Sequence, residues 1–188
     1  MTRRDAGFDL ARRLRAPGGA PLGEVFSFVS GLYFRGKLEY ARAFAAPPAG
    51  AAGVLVITPG VGLCPPETPV TVDAVRAVGR IEIAPREPGY RRPLEAAAGR
   101  LAEAIGEGCR VVLLGSVASS KYVDVLGAVF GRRLEFPVEF VGRGDMSRGG
   151  LLLRCVAEGR ELTYVPVLGA PRRGPRPPRL PPRLLASP

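Results

Sequence analysis

Two short segments gather side chains able to hold an anion and move a proton. Residues 139–148, EFVGRGDMSR, set Arg143 and Arg148 on either side of Asp145, with Gly142 and Gly144 in the backbone, Ser147 supplying a hydroxyl and Glu139 just upstream. Arginine neutralises phosphate or carboxylate, glycine lets backbone N–H groups approach, and a carboxylate can act as acid or base. Asp145 and Glu139 are therefore the candidate catalytic residues, with Gly142, Arg143, Gly144, Ser147 and Arg148 as candidate ligand contacts. Residues 115–121, GSVASSK, add Gly115, Ser116, Ser119, Ser120 and Lys121 before an apolar helical pattern. Two serines and a lysine at a helix amino terminus suit one phosphate or carboxylate.

Neither segment is a full motif. Residues 142–147 spell G-x-G-x-x-S, but the last position is Ser147 rather than a small Gly or Ala, and too little chain follows to build a βαβ unit. Residues 115–122 spell G-x-x-x-x-S-K-Y, a P-loop without its second glycine and without the hydroxyl that holds magnesium, which argues against nucleoside triphosphate hydrolysis. A plain structural alternative stands beside each: glycines that only supply positive φ, Asp145 or Ser147 as a helix cap, Ser119 as a cap and Lys121 in solvent.

Composition narrows the chemistry. The chain of 188 residues has no His, so Ser-His-Asp and Cys-His mechanisms are excluded. Its three cysteines, Cys64, Cys109 and Cys155, are too scattered for a zinc site or a disulfide framework, no metal ligand set is expected, and nothing names a cofactor. The net charge of +10 sits mainly at the ends: residues 1–20 hold five Arg and two Asp, residues 170–188 five Arg and no acid. General nucleic-acid affinity is therefore expected from the Arg-rich ends. Only Lys37 and Lys121 are lysines, a pattern that with abundant Ala, Gly and Pro resembles GC-rich coding bias. No apolar run approaches the roughly 18 residues of a membrane helix, so a cytoplasmic protein without membrane partners is expected.

The elements that must position these residues follow from periodicity. Residues 1–23 read as a basic segment and linker, 24–168 as one α/β domain, and 169–188 as a solvated Pro/Arg-rich tail. Strands are predicted at 24–29, 54–57, 80–84, 111–114 and 136–141, with an edge strand at 161–167. Helices are predicted at 33–46, 71–78, 90–106, from 121 to 130 with Gly131 as terminator, and at 147–157, a hairpin through Glu158-Gly159 being the alternative to the last. This order predicts a three-layer α/β fold with a mainly parallel, Rossmann-like sheet of about five strands. Ligands bind at the carboxyl rim of such a sheet, and four loops would meet there: 30–33 with Ser30 and Tyr33, 58–63 with Thr58, 115–121 and 142–148.

The strand followed by Ser-Gly, the Tyr-Phe-x-x-x-Leu helix, the V-x-I-T-P-x-x-G-L loop, the L-L-G-S turn and the F-P-x-E-x-x-G-x-G turn together resemble a group of small bacterial α/β domains. That group is distantly similar to the YaaA peroxide-stress proteins and to the central domain of archaeosine synthase. The resemblance spans about Phe26 to Arg154 and implies work on nucleic acid or a modified base: the synthase acts on a deazaguanine in tRNA, and YaaA proteins bind DNA and limit oxidative damage. It puts Ser30 and Tyr33 on the synthase's polar segment, and Thr58-Pro59 with Gly62-Leu63 on its strand-end loop. The synthase's Pro-Cys-Ser opening is Phe28-Val29-Ser30 here, its lysine is matched only if Lys37 serves from the helix, and its closing histidine is missing. The resemblance thus implies the fold more than the synthase chemistry. The expected ligand is a nucleotide, modified base or other small anion; the alternative is a non-catalytic module that binds nucleic acid or protein through its Arg-rich ends.

Overall fold

The computed structural model describes Thr2 and residues 6–180. The chain runs α1 (Asp9–Arg15), β1 (Ala20–Pro21), α2 (Leu22–Phe44), β2 (Val56–Thr58), β3 (Gly62–Cys64), β4 (Pro69–Val70), α3 (Val72–Val78), α4 (Pro88–Ile105), β5 (Val111–Val112), α5 (Ser120–Phe130), β6 (Leu134–Pro137), α6 (Asp145–Glu158) and β7 (Tyr164–Pro166). About 49% of it is helical.

Among the described residues the expected extended parallel sheet is absent, and the Rossmann-like reading is corrected accordingly. The described strands form pairs β1–β4 and β2–β3 and one sheet of three in the order β5-β6-β7. Only β5 and β6 are parallel; β7 runs antiparallel to β6 at the edge. Three predicted strands fail for separate reasons. Residues 24–29 are helical: Leu22 and Val25 are buried one helical turn apart while Phe28 and Val29 lie in solvent, a spacing of 3.6 rather than 2. The amide groups of Leu22 and Gly23, unpaired inside the helix, donate to Thr68 O and Pro66 O at 2.8 Å. Residues 54–57 contribute no central strand, because Pro59 and Gly60 close a turn in which Val61 N donates to Thr58 O, folding β2 back on β3. Residues 80–84 continue the turn that ends α3, Ile81 N donating to Val78 O.

Helix α2 is broken at Gly31, whose φ of 60° and ψ of −139° no helical residue adopts. The second half, through Phe44, packs along α6. They approach closely at Gly36 and Gly149: a Cβ on Gly36 would stand 2.7 Å from Gly149 O, and one on Gly149 would stand 2.8 Å from Leu32 O.

The three-stranded sheet separates two cores. On one side Tyr90, Leu94 and Ala98 of α4 meet Val125, Leu126 and Phe130 of α5 over Leu134 and Phe136. On the other, Tyr40 of α2 meets Leu151, Leu152 and Cys155 of α6 with Phe140 and Leu162. Leu113 joins the first core and its neighbour Leu114 packs on the second, as alternating strand residues must. Each fully buried Leu or Phe contributes roughly 1.5–3 kcal/mol of transfer free energy. Helix α1 docks through Leu10 and Leu14 against Ala20 and Val25. Among the described residues no helix is long and apolar enough to cross a membrane.

Candidate functional site

Strands β5 and β6 lead, at their carboxyl ends, into the bend at 115–119 with α5 and into the turn at 138–144 with α6. The Gly36–Gly149 contact presses α2 against α6, so Tyr33 and Lys37, one turn apart on α2, stand beside Asp145 and Arg148, one turn apart on α6. Tyr33 OH donates to Leu114 O at 3.2 Å and so fixes α2 to the end of β5. Gly115 lies close to its neighbours there, since a Cβ would stand 3.2 Å from the Leu113 side chain and in ordinary contact with the Tyr122 ring at 3.5 Å.

Arg148 is the centre of the cluster. It is buried, its Nη2 donates to Phe140 O at 3.0 Å, its Nη1 lies 3.6 Å from Asp145 Oδ1, and its Nε has no hydrogen-bond partner among the described residues. The Nζ of Lys37 lies 4.2 Å from the centroid of the Tyr33 ring and 5.3 Å from that of Phe34. Burial pushes the Lys37 ammonium below the ordinary lysine range, Arg148 and Lys121 push it further down, and only Asp145 opposes them. Burial likewise raises the Tyr33 phenol, against the lowering influence of the Arg148 guanidinium beside it. Three cations and one carboxylate thus act on one another at the amino-terminal ends of α5 and α6, where helix dipoles add positive potential.

Several predicted site residues stand differently. Ser119 occupies the N-cap position of α5, but its side chain makes no capping hydrogen bond, and its buried Oγ has no hydrogen-bond partner among the described residues. Ser116 is half-buried in the bend and Ser120 is exposed on the first helical turn, while Lys121 lies over the Tyr122 ring with its Nζ 5.1 Å from the centroid. Neither Asp145 nor Ser147 caps α6; Gly144 is the N-cap, and Asp145 occupies the first turn. Gly142 has φ of 73° and leaves its missing Cβ's place to the Pro175 carbonyl. Arg143 turns away from Arg148: its Nε donates to Glu139 O at 3.1 Å, and its Nη1 to Ser147 Oγ at 3.2 Å and Pro178 O at 3.5 Å. Glu139 is also apart from Asp145, because its Oε1 accepts from Thr163 N at 3.2 Å. Thr58 spends its buried hydroxyl on Val56 O, in a hairpin whose Gly62 abuts Pro93 of α4, and Ser30 is exposed just before the break in α2. Three of the four expected rim loops, with Tyr33, Lys121 and Arg148, converge; the loop at 58–63 packs on α4 instead.

Lys37 is the residue that sequence reasoning undervalued. Its signal was present: it lies four residues after Tyr33, on the same helical face, and shares the chain's lysine content with Lys121 alone.

At the ends, Arg13 pairs with Asp9 and Glu24, and Arg12 with Asp9. Residues 171–180 carry no helix or strand and run past the glycine turn, with Leu180 against Gly150 and Arg173 donating to Ala118 O at 3.3 Å. Arg3, Arg4 and the last part of the predicted tail, 181–188, lie outside the described residues. A separate cavity of about 260 Å³ between Phe44, Leu101, Ile105 and Phe130 contains none of the predicted site residues.

No family model matches the chain, and neither does any curated protein or solved structure. The functional reading therefore rests on the geometry of the Tyr33–Lys37–Asp145–Arg148–Lys121 cluster.

Proposed function

We propose that the protein binds a small anionic ligand, a phosphate- or carboxylate-bearing molecule such as a nucleotide or modified base, at this cluster. The observation that supports the reading is the gathering of Lys37 and Lys121 with the buried Arg148 around a single carboxylate, Asp145: burial is the main cause that disfavours the Lys37 ammonium, Asp145 opposes it, and Arg148 and Lys121 add to it. A bound anion compensates these positive charges and accepts hydrogen bonds from Ser119 Oγ and Arg148 Nε, which have no hydrogen-bond partner among the described residues. Asp145, exposed at the edge of the cluster, is the carboxylate placed to exchange a proton with such a ligand, whereas Glu139 is held at Thr163. A cytoplasmic setting, where such ligands are abundant, belongs to the same reading.

Thermal unfolding with inorganic phosphate and with a mononucleotide tests it. A ligand at about a hundred times its Kd stabilises the folded state by about 2.7 kcal/mol, which at this chain length raises the melting temperature by several degrees. Lys121→Ala should be protected less than the wild type. Equal shifts in the two proteins would remove Lys121 from the site.

A further inference from the structure

The cavity of about 260 Å³ shares no residue with the anion cluster, and three elements turn apolar side chains into it. In the β2–β3 hairpin, Ile57 and Leu63 are register partners and half-buried, whereas their neighbours Val56, Thr58 and Cys64 are buried; strand alternation puts the pair on the other face, toward the cavity. In α4 the stripe that buries Leu94 and Ala98 continues through Leu101 and Ile105, which are only half-buried where they border the cavity. Strand β5 is the end strand of its sheet, and residues 111–114 line the cavity in succession. Successive strand residues point to opposite faces, so a space that touches all four runs along the open edge. Leu113 N donates to Glu135 O of β6, which leaves Val112, turned the other way, with its backbone N–H and C=O on that edge.

The rim decides the charge of what fits. Arg110 stands 3.9 Å from Glu135 and 3.7 Å from Glu161, one guanidinium between two carboxylates, and lies 5.0 Å from the centroid of the Tyr164 ring. Tyr40 OH accepts from Leu162 N at 2.7 Å and shares a 2.7 Å hydrogen bond with Tyr164 OH, so both phenols are engaged within the protein. An entering carboxylate or phosphate would meet a surplus of negative charge.

We propose that this cavity binds a small uncharged aromatic molecule of one or two rings, its ring body between Ile57, Leu63, Leu101, Ile105 and Phe130 and any hydrogen-bonding group toward the open edge at Val112. An engineered apolar cavity of about 150 Å³ binds benzene, and the larger space here admits a bicyclic compound. The rings of Tyr40, Phe44, Phe130 and Tyr164 in the lining suit a flat aromatic ligand. Residues 45–48 and 52–53 are exposed and also line the cavity, so a ligand enters beside the chain that leaves α2. Binding there does not depend on the anion-binding reading.

Titration of indole and of indole carboxylate into the full chain at neutral pH compares one ring system with and without a charge. The chain has no Trp, so the fluorescence of the added indole reads its own binding. Indole should bind saturably at one site, severalfold more tightly than its carboxylate, and inorganic phosphate should not displace it. Absence of saturable indole binding would overturn the proposal. Equal or tighter binding of the carboxylate would overturn the uncharged class, and displacement by phosphate would move indole to the anion cluster. Leu101→Phe and Ile105→Phe each fill the space from α4; whichever keeps the wild-type melting curve should bind indole severalfold more weakly. Unchanged affinity in that variant would show that indole sits elsewhere.

Discussion

Gly36 of α2 and Gly149 of α6 meet backbone to backbone, with space for a side chain on neither. Tyr33 lies one turn before Gly36 and Lys37 directly after it, while Asp145 and Arg148 lie one turn and one residue before Gly149, so the contact sets the spacing between the two halves of the site. Adding a methyl group at either position must separate the helices or displace Leu32 and Tyr33. Gly149→Ala should cost about 1–3 kcal/mol, read as a melting temperature lower by several degrees, and should weaken phosphate protection as well. A variant as stable as the wild type would show that the helices do not approach this closely.

Asp145 stands in the first turn of α6, where Gly144 already holds the N-cap position. Asp145→Asn therefore loses a charge–dipole contribution of only about 0.3–1 kcal/mol. It also removes the carboxylate next to Arg148 and Lys37, so inorganic phosphate should bind severalfold more tightly. Weaker phosphate binding would show that Asp145 orients the cations rather than competing for them.

Lys37 gives the site a pH signature. Its folded pKa is lowered by burial, which outweighs the raising influence of Asp145 and is helped by Arg148 and Lys121, so in the window between that value and the ordinary lysine range the unfolded chain binds more protons than the folded one. The penalty of holding the ammonium is fully present below the folded pKa and disappears as pH rises through the window. Lys37→Met removes this penalty. Any stability advantage of the variant over wild type should be largest near neutral pH and shrink as pH approaches 10, which denaturant unfolding of both proteins at several pH values measures. A difference constant with pH would mean that Lys37 is as well hydrated folded as unfolded.

Residues 174–180 border the glycine turn through the Pro175 carbonyl at Gly142, the Pro178 carbonyl at Arg143 and Leu180 at Gly150. Truncation after Gly169 should lower the melting temperature by a few degrees, consistent with loss of roughly 1–2 kcal/mol for a partly buried leucine and its neighbours. An unchanged melting temperature would show that the segment contributes no net stability.

The long helices were legible in the sequence, because Leu94, Ala97 and Ala98 repeat at helical spacing in α4, Gly131 ends α5, and Leu151, Leu152 and Cys155 mark the buried face of α6. The sheet was not. Val25, Phe26, Phe28 and Val29 are aromatic and β-branched residues in a run too short to distinguish period 2 from 3.6, and packing of Leu22 and Val25 against distant residues decided for helix. Val54–Ile57 looked like a buried parallel strand, yet the Pro59-Gly60 turn brought it back on itself. Arg148 and Asp145 were found from local spacing, but their pairing with Tyr33 and Lys37 depends on two glycines more than a hundred residues apart. No local pattern records that contact.

The most direct measurement is calorimetric titration of inorganic phosphate into the wild type and into Lys37→Met/Lys121→Met, both confirmed folded by their melting curves. Cation clustering at the ends of α5 and α6 predicts saturable binding at one site in the wild type, weakened as salt is raised, and loss of most of that binding in the double variant. Phosphate binding of equal strength in both proteins would contradict the account and move the anion site elsewhere on the chain.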